Sequence, residues 1–309
     1  MDSIKVYAPA TVANVACGFD VLGFALNEPG DELILKKNNL EQIRITQITG
    51  DDGKLPTNPQ KNTAGVVVEH FLRHIDKKQG FDIEIHKKMP LGSGLGSSAA
   101  SAAAALFAVN QLMGNPLSKQ ELVPFALEGE RAACGSAHAD NVAPALLGGF
   151  VLIRGYDPLD VIAIPTPPNL VATVIHPHIE IRTEDARSIL KKSILLKDAI
   201  IQWGNIGGLI AGLMKNDLEL IRRSLQDVVI EPIRALLIPS FDAIKQSAMD
   251  AGALGCSISG SGPSIFALSH ELSVAQNIGI AMRKTLLEIG IESDLYVSPI
   301  NLEGPRILD

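Results

Sequence analysis

The chain has 309 residues, of which 46% are hydrophobic and 20% charged, and its formal net charge is −7. At roughly 100–200 residues per domain this is material for about two domains with packed cores, and disorder as the main state is excluded because it needs low apolar content and dense charge. The acidic balance argues against a nucleic-acid or anionic-membrane partner, both of which need a basic excess, yet leaves room for a small anion held by local positive potential.

Aromatic residues are scarce at 4%, whereas glycine is plentiful at 27 residues, so packing must rely on small side chains and close backbone approach. Cys17, Cys134 and Cys256 lie far apart with no CxxC pair. That spacing fits a reduced compartment and neither a disulfide framework nor a zinc ribbon. No basic segment followed by a long apolar run opens the chain, and the apolar tract 99–113 is shorter than the ~18–20 residues that span a bilayer. A cytoplasmic protein is expected.

In chain order, residues 4–8, 32–36 and 42–48 are β-rich, with a turn at Asn38 and Asn39, and residues 51–62 form a polar Pro/Gly loop. Val66, Val67, Phe71 and Ile75 fall at helical spacing within 63–77, with Thr63 as the expected N-cap. Residues 81–86 alternate apolar and polar, as in a half-buried strand. An Ala-rich helix follows to Met113, and a second helix runs over 118–131, started by a capping box of Ser118 and Glu121. Strands are expected at 148–154 and 161–164. The three prolines of residues 165–168 mark a domain junction, dividing the chain into 1–165 and 166–309. Beyond it come a strand at 170–175, helical segments over 183–226, a helix at 240–251, strands at 254–259 and 265–268, a helix at 272–289 and a strand at 293–299. Strands and helices without strict alternation predict an α+β fold.

The sharpest feature is the run Pro90, Leu91, Gly92, Ser93, Gly94, Leu95, Gly96, Ser97, Ser98, Ala99 and Ala100, placed between a predicted strand and a predicted helix. Its glycines permit tight turns and close approach of amides to a ligand, and the helix start attracts a phosphate. The run is neither GxxxxGK[ST] nor GxGxxG. A plain helix-capping turn is the competing explanation.

This run resembles the signature of the GHMP kinases, the group that contains galactokinases, homoserine kinases, mevalonate kinases and phosphomevalonate kinases. Residues 8–23 resemble the family's first motif and residues 255–264 its third, so the resemblance covers almost the whole chain. Residues 135–149 resemble the homoserine-kinase branch. Members of that branch often carry Gly-Pro where this chain has Ala16 and Cys17.

The resemblance implies a two-domain kinase with its active site in the cleft between domains, ATP as phosphoryl donor on the Gly-rich loop, and Asn62 near the adenine. It implies Ser98 and Glu130 as Mg²⁺ ligands, and Mg²⁺ needs few protein oxygens besides water and phosphates. Asp140 and Asn141 occupy the position of catalytic residues: an Asp could deprotonate the substrate hydroxyl, an Asn could orient it, and the γ-phosphate itself is the other candidate proton acceptor. For an L-homoserine substrate, Arg187, Arg234 and Thr183 match carboxylate-side positions, Asn14 and Asp20 match amino-side positions, and His138 falls in the pocket. A homodimer is expected. Another small alcohol such as mevalonate, or nucleotide sensing without turnover, are the rival functions. His70 and His74, at i,i+4 spacing without a third ligand, are expected on a solvated helix face, and His176 and His178 at a strand end.

Overall fold

The computed structural model describes every residue except Ser136, and every side chain except those of Ala133, Cys134 and Ser136. One position of the segment 135–149, Ser136, therefore lies outside the described residues.

Two sheets organise the chain. The first is built on the long strand β2 (Leu22–Asn38), which pairs antiparallel with β1 (Ser3–Ala13) along most of its length. Beyond β1, β2 pairs with β4 (Gly80–His86) at one end and with β5 (Phe150–Tyr156) at the other. β3 (Ile43–Thr49) adds parallel to β4, and β6 (Leu159–Ile164) adds antiparallel to β5. The second sheet has the order β10-β7-β9-β8, formed by β7 (Val171–Pro177), β8 (Gly255–Ile258), β9 (Ile265–Ser269) and β10 (Ser293–Pro299), all antiparallel. The Pro-rich residues 165–168 fall between β6 and β7, at the passage from one sheet to the other. The last strand, β11 (Arg306–Leu308), returns to pair with β1, a long-range pairing that no local pattern in the sequence announces.

Helices α1 (Thr63–His74), α2 (Ser97–Leu112), α3 (Lys119–Cys134) and α4 (Ala139–Leu147) form the layer over the first sheet. Asn62, not Thr63, caps α1, because its side-chain oxygen accepts from the Ala64 amide. The capping box of Ser118 and Glu121 starts α3 as expected. α2 is buried almost all round, since its alanines let β1, β2, α1 and α3 approach together. α4 has no counterpart in the sequence reading, and the proline inside it, Pro144, hides it from propensity.

On the second sheet lie α9 (Phe241–Asp250) and α10 (Leu272–Glu288). Between β7 and α9 run α5 (Thr183–Ser188), α6 (Leu196–Lys215), α7 (Leu218–Ser224) and the single turn α8 (Glu231–Arg234). Phe24 of β2 lies 4.7 Å from Phe150 and 5.9 Å from Phe266 of β9, so the two sheets share packed aromatic contacts. Each such fully buried ring contributes about 1.5–3 kcal/mol relative to exposure. Cys17 and Cys256 are free, buried thiols that burial pushes up to about 12, so neither is reactive at neutral pH. No helix among the described residues is long and apolar enough to cross a membrane.

Candidate active site

The Gly-rich run leaves β4 as an irregular loop and enters α2 at Gly96. Gly92, Gly94 and Gly96 all have φ between 66° and 79°, a region that favours glycine. At Gly94 and Gly96 the need is also steric. A Cβ on Gly94 would lie 2.5 Å from the Ser259 carbonyl, and one on Gly96 would lie 2.0 Å from Thr11 Oγ1. Gly92 instead faces open space. No side chain caps α2. Its first amides and the positive end of its dipole thus remain available to an anion. Not all of the run faces outward. Leu95 is buried and its carbonyl accepts from the Thr11 amide, while the Ala100 amide closes the first turn on Gly96. The Ser93 hydroxyl is buried in the loop without a hydrogen-bond partner.

Beneath the loop lies a buried ion pair that the sequence reading missed. Lys87, at the end of β4, pairs with Asp31 of β2 and donates to the Ser97 carbonyl at 2.8 Å and the Ser101 hydroxyl at 2.9 Å. Asp31 also accepts from the Lys88 amide at 2.7 Å and from the Ser97 hydroxyl at 3.1 Å. Burial pulls the Lys87 ammonium below its ordinary value while Asp31 opposes that shift. The pair fastens both ends of the loop to one strand. The separation of 56 positions along the chain between its partners kept it out of sight of any local motif.

Glu130 projects from the last turns of α3 and is only 5% exposed. It is bonded to the Ser98 hydroxyl and accepts from the His138 amide at 3.4 Å. Ser98 lies 3.3 Å from Thr63 Oγ1 at the start of α1. Burial pushes the Glu130 carboxyl up to about 7. A buried carboxylate with so little compensation, beside a hydroxyl at the start of an uncapped helix, fits a hard divalent cation. The Asn62 amide, by contrast, is committed within the chain, capping α1 and donating to the Pro56 carbonyl at 2.9 Å.

The first motif forms a loop after β1. Asn14, Val15, Ala16 and Asp20 all have positive φ, from 42° to 71°, although none is glycine. Such backbone costs energy and persists only where its surroundings enforce it. The enforcement is visible: Asn14 donates to the Gly260 carbonyl at 2.8 Å and accepts from the Asp20 amide at 3.0 Å. The third motif, between β8 and β9, locks onto the same place. Ser259 donates to the Gly94 carbonyl at 2.7 Å, the Ser264 amide to the Ser93 carbonyl at 3.2 Å, and the Gly260 amide to the Ala13 carbonyl at 3.2 Å. The three motifs thus meet as one set of loops.

Charged groups converge beside them. Arg187 of α5 forms a two-pronged pair with Asp20, at 2.9 and 3.1 Å. Arg234 of α8 is 4% exposed and donates to the carbonyls of Ala186 at 3.2 Å and Gly260 at 2.8 Å. Asp227 starts α8 by accepting from the amides of Val229, Ile230 and Glu231, and Gln202 of α6 joins Asp227 to the Cys17 carbonyl. This network, also unforeseen, fixes Arg234 against the first motif. Thr183 lies 3.2 Å from the Ser261 hydroxyl of the third motif. Burial, then Arg187 and Arg234, hold the His138 imidazole below its ordinary value, hence neutral near pH 7.

Asp140 and Asn141 open α4 and part ways. Asn141 Oδ1 accepts from Thr11 at 2.8 Å, and a Cβ on Gly96 would lie 2.8 Å from it, second only to Thr11 Oγ1, so it faces the end of the Gly-rich loop. Asp140 is 2% exposed, and one of its oxygens is buried without a partner. Burial, with Asp20 adding to it, pushes its carboxyl up to about 7. Two of the other histidines are engaged elsewhere: His74 packs edge-on to Phe125, and His176 bonds to Ser264. Among the described residues no group of three or more His, Cys, Asp or Glu side chains gathers as a metal cluster.

The models of the GHMP kinase N-terminal and C-terminal domains match residues 62–149 and 209–286. The chain belongs to the GHMP kinase family. It is 56% identical to the homoserine kinase of Chloroherpeton thalassium over the whole of both chains, and 41% identical to that of Xylella fastidiosa over 98% of this chain and 94% of the other. A crystal structure of homoserine kinase from Cytophaga hutchinsonii superposes with a TM-score of 0.98 at 60% identity, covering all of this chain and 98% of that one. The chain therefore falls in the homoserine kinase branch. The fold alone extends further: mevalonate kinase from L. major shares it with a TM-score of 0.70 at 17% identity, over 96% of each chain.

Proposed function

We propose that the chain transfers the γ-phosphoryl group of ATP to the side-chain hydroxyl of L-homoserine, giving ADP and O-phospho-L-homoserine on the route to threonine. The observation that carries this reading is the meeting of an uncapped helix start with a cluster of both charge signs, Asp20 with Arg187 and Arg234, on interlocked loops. One half suits phosphates and the other a zwitterion. An amino acid can exchange the single ion pair of Asp20 and Arg187 for two, with its ammonium on Asp20 and its carboxylate on Arg187 and Arg234. Guanidinium suits the latter because its fork matches both carboxylate oxygens.

The amides at the start of α2 hold the phosphates, and Asn14 keeps Asp20 in place. Glu130 and Ser98 would hold Mg²⁺, which when bound neutralises charge on the phosphates. Asn141 orients the attacking hydroxyl. Its oxygen bonds to the γ-phosphorus as the bond to the β-phosphate oxygen breaks and ADP leaves. The hydroxyl proton passes to a γ-phosphoryl oxygen, since this transfer depends more on positioning and charge neutralisation than on a strong base. Phosphorus NMR of the protein mixed with ATP, Mg²⁺ and L-homoserine should show ADP and a phosphomonoester of homoserine growing together. ATP bound without turnover would overturn the reading.

Asp140 tests the proton's path. Its carboxyl, raised to about 7, would be a competent base only above that pH. With the γ-phosphate as acceptor, Asp140→Asn is expected to keep kcat within about tenfold at pH 8, whereas a missing general base costs about 10²–10⁴-fold. A loss in that larger range, with Asn141 and the fold intact, would assign the base to Asp140.

The working unit is a homodimer in the cytoplasm, its chain divided functionally at 165/166. Support for self-association comes from α6 and its approach, where Leu195, Leu196, Ile200, Ile201, Trp203 and Met214 are each about half exposed or more. Large apolar side chains left exposed along one helix mark candidate association sites.

A further inference from the structure

Phe19 stands out among the aromatic residues. Of the nine phenylalanines in the chain, the other eight lie in or against one of the two hydrophobic cores, and Phe19 lies in neither. It sits on the first-motif loop between Gly18 and the strained Asp20, and is only partly buried. Its ring faces two cations. The guanidinium carbon of Arg187 is 5.6 Å from the ring centroid and that of Arg234 is 5.0 Å from it.

Two guanidinium groups that converge on one spot repel each other. Asp20 compensates Arg187 directly, but the hydrogen-bond partners of Arg234 are two neutral carbonyls. The negative face of an aromatic ring attracts a cation within about 6 Å without supplying a competing carboxylate. A further carboxylate there would neutralise the arginines and repel the substrate's own. An aliphatic residue would leave Arg234 with only its two carbonyl partners before substrate binds.

Resting on the assignment of these arginines to the substrate carboxylate, we propose that Phe19 is a positioning residue, a shared aromatic platform that holds Arg187 and Arg234 together and open toward a carboxylate. It thereby sets the preference for alcohols that carry a carboxylate over those that carry only an amine. The ring acts through the arginines and need not touch the reacting atoms.

Steady-state kinetics of Phe19→Leu and Phe19→Tyr, beside Arg234→Ala, test this. Phe19→Leu is expected to raise the KM for L-homoserine by about 5- to 30-fold, the loss of two cation–ring contacts, with kcat changed less than about threefold and the KM for ATP unmoved. Phe19→Tyr, which keeps the ring face, should restore the KM to within about threefold of the parent. Turnover of 3-aminopropan-1-ol, which lacks the carboxylate, should be indifferent to Phe19→Leu. If Arg234→Ala raises the homoserine KM and Phe19→Leu does not, the platform role is wrong while the arginine assignment stands. If neither variant moves it, the arginine assignment fails and takes the platform with it. An equal rise in the KM for ATP, or no recovery with tyrosine, would show Phe19 to be ordinary loop packing and would also overturn the proposal.

Discussion

Glu130→Ala is expected to leave the protein folded and lower kcat by about a hundredfold to a thousandfold, because the cation on the phosphates would lose its buried carboxylate. The fold should survive because burial of the carboxyl without the cation is a burden: the side chain is 5% exposed, and its bond from the His138 amide is long, at 3.4 Å. The same burial gives the effect a pH signature. The folded carboxyl titrates near about 7 against an ordinary 4.5, so the folded chain keeps a proton that the unfolded chain has lost between those values. In the absence of a cation, raising the pH through that window therefore lowers stability. A cation must displace the proton, so Mg²⁺ affinity should rise about tenfold per pH unit below ~7 and level off above it. Glu130→Gln should abolish both slopes. Near-normal turnover in a folded Glu130→Ala protein would remove Glu130 from the site.

Arg234→Ala is expected to lower kcat/KM for L-homoserine by roughly 10- to 150-fold, the worth of one charge-assisted contact in a partly dry cleft. The KM for ATP should hardly move if, as proposed, the phosphates rest on the loop at residues 90–100. Arg187→Ala should act in the same direction with a smaller effect, since its side chain is 46% exposed and partly screened by water. Arg187→Lys should not fully rescue, because an ammonium lacks the planar fork. Loss of ATP affinity with an intact homoserine KM would assign these arginines to the nucleotide.

The parts of the site written as short local patterns were legible in the sequence. The loop at residues 90–100 combines alternating glycines with an alanine-rich helix, and both meanings are local. Ser118 and Glu121 likewise announce the start of α3 three residues apart. The supports of the site were not legible, because they are made by distant partners. Lys87 meets Asp31 only when β4 lies beside β2, and Gln202 meets the Cys17 carbonyl across 185 residues. The left-handed path of Asn14, Val15 and Ala16 carries no glycine to betray it; contacts with the third motif hold it. Asn62 shows a third kind of limit. Its place before a helix was clear, but that its own side chain, and not that of Thr63, caps α1 shows only in the geometry.

If one set of loops serves a phosphate chain on one side and an amino-acid zwitterion on the other, the enzyme must select its acceptor by both charges. ADP release from ATP and Mg²⁺, compared across L-homoserine, mevalonate and galactose at equal concentration, reads that selection. Turnover is expected with L-homoserine, with kcat/KM at least about a hundredfold lower for mevalonate, which has a carboxylate but no ammonium for Asp20, and for galactose, which has neither. Equal or better turnover of mevalonate, unaffected by Asp20→Ala, would contradict it.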